Sequence, residues 1–553
     1  MKILEKVFRR ERYILLLIFV LVLPALTALT QPGFFPTQDY IYVARIYQMN
    51  VALHDGQFPV RWAPDFRYGE PLFNFYAPLP YYVGSLVKDL GFSYLDTAKI
   101  LYGLGFLLSG LAMYFLSREF FGKIGALLSA ILYIYAPYHS VDVYVRGALS
   151  ESWALIFFPL IFLASYKLSK RYSINNVIWL ALSLAGLFFT HNIMTILFMP
   201  FVIGWWIYLT WQEKKWRGGI YFLGAFLLGV GLGASFLLPA FLEKGFVQSD
   251  RLITGYFNFV AHFVAIPEFF STFWGYGASL WGPIDDMSFQ VGLAHWAVLA
   301  LSLILAFKRR KTRELTALTV FLSLEFLFSL FMQHNQSTPI WKLFPIMAFV
   351  QFPWRFLGIS IFLASFLGGC ILTYLPERRR NLLILPLVTV IILVYVGYFR
   401  PESYYPDSVD KHYIGSEVLI IDDKLPKDYL PIWVKKISPQ IIQAPVAGFG
   451  KAQITNFNKR SDSATFEANV KFETEIETPI TYFPGWEVKA NNATVTLDSP
   501  DDLGLVRFKL LPGNYKIEME FKDTQVRSIG NWLTLGSLLL LPVLMIGRRL
   551  IKK

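Results

Sequence analysis

The chain has 553 residues, 55% of them hydrophobic and 16% charged, and a formal net charge of +12. With a mean hydropathy of +0.45, these values exclude an ordinary soluble enzyme and indicate a polytopic helical membrane protein. The positive excess does not point to nucleic acid, because Lys and Arg sit in short clusters between apolar runs, the pattern that orients a membrane protein.

After a basic start, Tyr13 to Leu29 is apolar and long enough to cross a bilayer. It reads as a retained anchor. Asp39 is the first charge after Arg12. It either floors a pocket at the far end of the first span or simply marks the water boundary. The text that follows favours a pocket. Loop 31–97 is aromatic, rich in proline and dotted with charge: Arg45, Arg61-Trp62, Arg67, Glu70, and Phe75-Tyr76-Ala77-Pro78. Trp62, Tyr76, Tyr81 and Tyr82 are candidates to line that pocket.

Further on, Arg146 and Glu151 stand five apart at the mouth of a span, close to His139 and Asp142. Arg146 suits a phosphate. Glu151 either holds Arg146 or takes a proton, and an ion pair with a structural role alone is the plainer reading. Thr190-His191-Asn192 breaks two apolar runs. His191 either bonds a ligand or caps a tight hairpin. In Gln351-Phe352-Pro353-Trp354-Arg355, the proline suits a first helical turn, so Arg355 lies where the helix dipole favours an anion.

If each basic cluster marks the cytoplasm, the apolar runs predict about 12 spans, near 13–30, 98–116, 124–138, 152–166, 176–190, 193–211, 219–240, 290–307, 315–332, 354–375, 381–398 and 529–547. Both termini are then cytoplasmic. Nearly all histidines and acids outside the basic clusters fall on the outer face. Three regions follow: a transmembrane catalytic domain over 1–398, an extracytoplasmic β-rich domain over 399–528, and a final span with a basic tail over 529–553. The middle region alternates at period two, as in Phe466, Ala468, Val470 and Phe472, with turn signals such as Pro512-Gly513-Asn514, which predicts an antiparallel β-sandwich.

Cys370 is the only cysteine, and no histidine pair has zinc-ligand spacing. A divalent ion held by Asp39 with Asp142, Glu151 or Glu268 stays open. There is no nucleotide fingerprint, phosphate loop or serine elbow, so no nucleotide cofactor is expected.

Asp39 with Arg45, Gly56-Gln57-Phe58-Pro59, Phe75-Tyr76-Ala77-Pro78, the Arg146–Glu151 stretch, Thr190-His191-Asn192 and Phe352–Phe356 resemble the bacterial and archaeal 6-pyruvoyl-tetrahydropterin synthase-related membrane proteins. Nothing in these residues supports the pterin chemistry in that label. The wider architecture is similar to the GT-C glycosyltransferases. These resemblances imply the inner membrane of a prokaryote, a polyprenyl-phosphate sugar donor, a glycan, lipid or protein acceptor, and an acid in the first outer loop, a position that Asp39 matches. Many metal-dependent members carry a paired acidic motif there, whereas here Asp39 stands between Gln38 and Tyr40. The reading is an integral-membrane glycosyltransferase with Asp39 as general base, Arg146 and Arg355 on the donor phosphate, and Arg45, Glu70, Tyr76, His139, Asp142, Glu151, His191 and Trp354 in support. The alternative is a transporter, flippase or assembly factor for lipid-linked glycans.

Overall fold

Each predicted span falls on a helix in the computed structural model, which describes residues 10–282, 284–309, 312–421, 427–438 and 441–551. The basic ends, Lys2 to Arg9 and Lys552–Lys553, lie outside the described residues. The main helices are α1 (Glu11–Leu26), α2 (Tyr42–His54), α3 (Leu79–Asp89), α4 (Tyr94–Ile134), α5 (Leu149–Lys170), α6 (Ile174–Thr190), α7 (Asn192–Glu213), α8 (Gly219–Leu242), α9 (Leu293–Arg309), α10 (Arg313–Phe331), α11 (Leu357–Thr373), α12 (Glu377–Tyr395) and α13 (Gln525–Ile551). Among the described residues, nine helical stretches have the length and hydropathy to cross a membrane. The protein is therefore a multi-pass helical membrane protein. Helix α4 covers two predicted spans, and Gly122 at φ +69° breaks it between Arg118 and Lys123. A left-handed turn of this kind costs glycine little. Helices α6 and α9 are shorter, at 17 residues each.

Local chemistry sets several helix ends. The side chains of Ser93, Ser173 and Thr312 accept backbone N–H bonds at the starts of α4, α6 and α10. Helix α11 is apolar all round and buried on nearly every side, as a central helix must be. It meets α4 through glycine: a Cβ on Gly369 would lie 2.7 Å from the Gly125 carbonyl. Small residues let two membrane helices approach this closely. By contrast, α13 presents Leu535, Leu539, Val543 and Ile546 outward.

The loops predicted for one face do meet at one end of the bundle. Phe34 bridges Tyr405, and Val247 bridges Pro431. Gln38 donates to the Gly277 carbonyl, Asn192 to the Phe75 carbonyl and Ser140 to the Tyr398 carbonyl. The sandwich stands on the same end. Its sheets are β1 (Val446–Ala447), β4 (Thr474–Thr481) and β7 (Leu505–Leu510), in order β1-β4-β7, against β2 (Ala452–Lys459), β3 (Ser463–Val470), β8 (Gly513–Phe521), β5 (Trp486–Ala490) and β6 (Ala493–Val495), in order β2-β3-β8-β5-β6. All ladders are antiparallel. Phe466, Ala468 and Val470 point into the core as the alternation requires. Phe472 does not: it lies past the end of β3 and is exposed. Among the described residues, the strands of 399–528 begin at Val446, and before it there are only isolated bridges at Tyr405 and Pro431. The stretch before Val446 drapes over the helix ends, where Asp410 accepts the N–H groups of Tyr94 and Leu95.

A buried polar network joins the sandwich to the membrane part. Arg527 is fully buried and pairs through Nε with Glu243 Oε2 at 2.9 Å. Asn74 donates to the same oxygen at 3.1 Å. Arg61 reaches Asp523 at 3.0 Å, the Asn74 side-chain oxygen at 3.0 Å and Asn531 at 2.7 Å. Each buried charge thus has charged or polar partners, which is the condition for tolerating it.

Candidate active site

Two loops are laced together at the bundle end. Gln38 N–H donates to the Val145 carbonyl at 3.0 Å, and Asp39 N–H to the Arg146 carbonyl at 2.8 Å. The Thr37 hydroxyl returns to the Asp39 carbonyl at 2.7 Å. Only glycine fits beside this crossing: Gly147 has φ +68°, and a Cβ there would stand 2.2 Å from the Asp39 carbonyl. The Asp39 carboxylate accepts the Ile41 N–H at 3.0 Å and lies 3.4 Å from Arg45 Nη1. Its side chain remains 40% exposed, so it is held yet open. Arg45 in turn lies over the Tyr76 ring, 4.0 Å from its centre.

A single π-helical turn, Val141–Val145, follows Ser140, and the Arg146 N–H reaches back to the Val141 carbonyl at 2.8 Å. Such turns widen a helix and re-aim its side chains, often at functional sites. Here the turn places Asp142 against Arg146. Arg146 also donates from Nη1 to the Tyr138 hydroxyl at 3.1 Å and from Nη2 to Glu151 Oε2 at 2.8 Å. The Tyr138 hydroxyl donates to the other Glu151 oxygen at 2.6 Å. Arg355 Nε lies 3.2 Å from Glu151 Oε2, the same atom that Arg146 holds. One carboxylate oxygen therefore gathers both guanidinium groups. Arg355 Nη1 is tied to the Val350 carbonyl at 2.7 Å and to the Gln351 side chain at 3.2 Å. Gln351 itself adopts φ +67°, a strained conformation for such a residue.

These groups line one cavity of about 680 Å³. Asp39, Arg45, Tyr76, Arg146, Glu151, His191, Trp354 and Arg355 share its wall. The rest of the lining is largely apolar and includes Phe188, Ile196, Phe236, Leu237, Phe241 and Phe349 from the ends of α6, α7 and α8 and the loop before α11. His191 caps α7: its Nδ1 accepts the Met194 N–H at 3.1 Å. The ring proton is then on Nε2, which makes that nitrogen a donor. Trp354 carries the Arg146 guanidinium 4.4 Å above its ring and stacks on Phe352.

Other candidates lie elsewhere. His139 is fully buried among Phe106 and Tyr133 and bonds the Tyr133 carbonyl, so it is a core histidine. Asp142 stands behind Arg146, off the cavity wall. Glu70 is buried beside Arg67 at 3.7 Å. Burial pushes its pKa up to about 7 against the pull of Arg67 and Arg45. Trp62 is packed against Trp486, Phe483 and Phe521 of the sandwich. Tyr81 is fully buried against Phe73 and Tyr76, and the Tyr82 hydroxyl accepts the Val60 N–H. Of the four expected aromatics, Tyr76 alone reaches the cavity wall.

The residues do not fit the suggested metal pairings. Asp142 and Glu151 are already bridged by a guanidinium, which occupies the space that a cation would take. Glu268 accepts the Ala265 N–H and does not line the cavity. Among the described residues, no three His, Cys, Asp or Glu side chains are grouped to hold an ion.

Sequence reasoning missed Lys244, Asp428 and Tyr429, which also line the cavity. Asp428 and Tyr429 come from the draped segment between α12 and the sandwich. No local pattern marks that segment, since only the fold carries it back over α2.

Three solved structures share part of this architecture: the arabinofuranosyltransferase AftD from Mycobacteria (14% identity, TM-score 0.44, 71% of this chain and 27% of that one), ArnT from Cupriavidus metallidurans bound to undecaprenyl phosphate (13%, 0.40, 68% and 63%), and the Archaeoglobus fulgidus oligosaccharyltransferase tethered with an acceptor peptide (13%, 0.40, 72% and 56%). An uncharacterized protein of Lactococcus lactis subsp. cremoris (strain MG1363) is 28% identical over 246 residues, 42% of this chain and 40% of that protein. The chain thus covers less than two thirds of each of these relatives. Residues 73–401, more than half of the chain, match the 6-pyruvoyl-tetrahydropterin synthase related domain of membrane proteins, and the chain belongs to that family.

Proposed function

We propose that the protein is a GT-C-type integral-membrane glycosyltransferase that moves a sugar from a polyprenyl-phosphate donor to an acceptor on the extracytoplasmic face. One observation carries this reading: one cavity is lined both by Arg45, Arg146 and Arg355 and by Phe, Ile and Leu side chains from three helix ends. A cavity lined by both cations and hydrocarbon suits an anion attached to a long apolar chain.

The arginines divide the work. Both terminal nitrogens of Arg146 are engaged by Asp142, Tyr138 and Glu151, so Arg146 is a fixed positive background. Arg355 keeps Nη2, and its Nε lacks an aligned hydrogen-bond partner. It is the direct phosphate ligand, with His191 Nε2–H beside it. Glu151 holds both arginines and is not the base. Asp39, open and steadied by Arg45, takes the acceptor proton. The acceptor oxygen bonds to the anomeric carbon, the bond from that carbon to the phosphate oxygen breaks, and polyprenyl phosphate leaves with the electron pair. Positive charge fixed in place favours that departure.

The test is transfer of radiolabelled sugar from undecaprenyl-phosphate donors to membrane glycans by the purified protein in nanodiscs. Activity that is lost in Arg355→Met, with folding retained, supports the reading. Movement of labelled lipid between leaflets without any new glycosidic bond would favour the transporter alternative.

A further inference from the structure

The draped segment places Asp428 and Tyr429 on the cavity wall with Asp39, Arg45 and Tyr76. Val247 bridging Pro431 anchors this segment from the α8 side. The other acids on the wall are committed: Asp39 to Ile41 N–H and Arg45, Glu151 to Arg146, Arg355 and Tyr138. Asp428 differs, because among the described residues its carboxylate has no hydrogen bond and no ion pair. A partly buried carboxylate that faces a cavity without a protein partner keeps its accepting oxygens free for a ligand. Burial pushes its pKa up, while Arg45 and Arg251 pull it down and Asp39 adds to the rise. The group is therefore within electrostatic reach of the proposed base.

Its neighbour supplies a rigid aromatic corner. Tyr429 stacks on Phe75 with centroids 6.1 Å apart and planes 2° from parallel, and meets Tyr76 edge-on at 6.1 Å and 77°. A carboxylate accepts two neighbouring hydroxyls at once, and a tyrosine ring offers an apolar face and a polar tip. Together they match a polyhydroxylated ring.

We propose that Asp428 and Tyr429 form an acceptor subsite that binds a carbohydrate through a pair of hydroxyls and one ring face. This rests on the glycosyltransferase reading above and assigns the acceptor side of that site. It makes the segment before the sandwich part of the cavity, so that acceptor recognition comes from the C-terminal third of the chain and the base from loop 31–97.

The experiment is a binding titration that needs no transfer. Full-length protein in nanodiscs is titrated with methyl α-D-mannopyranoside, methyl β-D-galactopyranoside and methyl β-D-glucopyranoside, with tryptophan fluorescence as the readout. At least one glycoside should bind, Asp428→Asn should weaken it about tenfold or more, and Tyr429→Phe should keep most of the affinity that Tyr429→Ala loses. Undecaprenyl phosphate binding should be unchanged in Asp428→Asn, which shows that the variant is folded, and Asp428→Glu should recover part of the sugar affinity. Equal glycoside affinity in wild type and Asp428→Asn would overturn the subsite. So would a wild type that binds none of the three. If glycosides bind as expected but no donor supports transfer, the subsite stands and the transferase reading fails.

Discussion

The amide of Asp39 donates to the carbonyl of Arg146 at 2.8 Å, so the proposed base and the cation behind the phosphate site hang on one backbone clamp. The two loops are more than a hundred residues apart in sequence, and no side chain is needed to join them. Gly147 makes the crossing feasible. Gly147→Ala should therefore move Asp39 away from Arg45. The expected outcome is a loss of transfer of at least roughly tenfold, with about 1–3 kcal/mol of stability lost to strain at the positive φ. Specific activity and thermal unfolding of the purified variant check both parts.

Asp39→Asn keeps the size of the side chain and its bond from the Ile41 N–H. It removes the proton acceptor. Transfer should fall by roughly 10²–10⁴-fold, while membrane insertion and the melting temperature stay near wild type. An Asn variant with full specific activity would remove Asp39 from the chemistry.

Much of this was legible in the sequence for a physical reason. Spans must be about as long as the bilayer is thick, so apolar length and basic clusters give helix positions directly. Arg146, Glu151 and Arg355 stand out as charges beside apolar runs, where they must find partners. The same logic singled out His139 and Glu70, and the structure puts both in packed interiors instead, where one backbone acceptor and one arginine suffice. Asp428 carried no signal. Its neighbourhood is polar and irregular, and only long-range folding brings it over Arg45. The period-two pattern located β3 but overran its end at Phe472, because alternation in sequence does not say where a ladder stops.

Orientation has a clean test, because the single native thiol, Cys370, is buried. Phe449 is fully exposed at the sandwich end of the molecule. Phe449→Cys in intact cells should react with a membrane-impermeant maleimide, and wild-type protein should not. Labelling only after permeabilisation would put the cavity in the cytoplasm and remove the extracytoplasmic reading.

Glu70 predicts a pH effect. Its pKa rises from the usual 4.5 to about 7 on folding, mainly through burial, opposed by Arg67 and Arg45 and reinforced by Asp428. The folded state then holds the proton more tightly than the unfolded one. This contribution to stability is fully present below pH 4.5 and is lost as pH rises to about 7. The slope is on the order of 1.4 kcal/mol per pH unit at most. Glu70→Gln should flatten the melting temperature across that window, and an unchanged profile would show that Glu70 is not the titrating group.

Glu151 offers the sharpest separation of structure from chemistry. Its Oε2 gathers Arg146 at 2.8 Å and Arg355 at 3.2 Å. Glu151→Gln leaves two buried cations, of which Arg146 keeps its pairing with Asp142. Breaking a buried ion pair from one side costs roughly 3–5 kcal/mol, so the melting temperature should drop. A phosphate bound at Arg355 would restore the missing negative charge. Undecaprenyl phosphate should therefore raise the melting temperature of the Gln variant more than that of wild type, since a ligand stabilises in proportion to its affinity for the folded state. Transfer should stay low, because a phosphate held in place of the carboxylate leaves slowly. If the lipid shifts both proteins equally, Arg355 is not its ligand, and the anion site must be sought nearer Arg45 and Lys244.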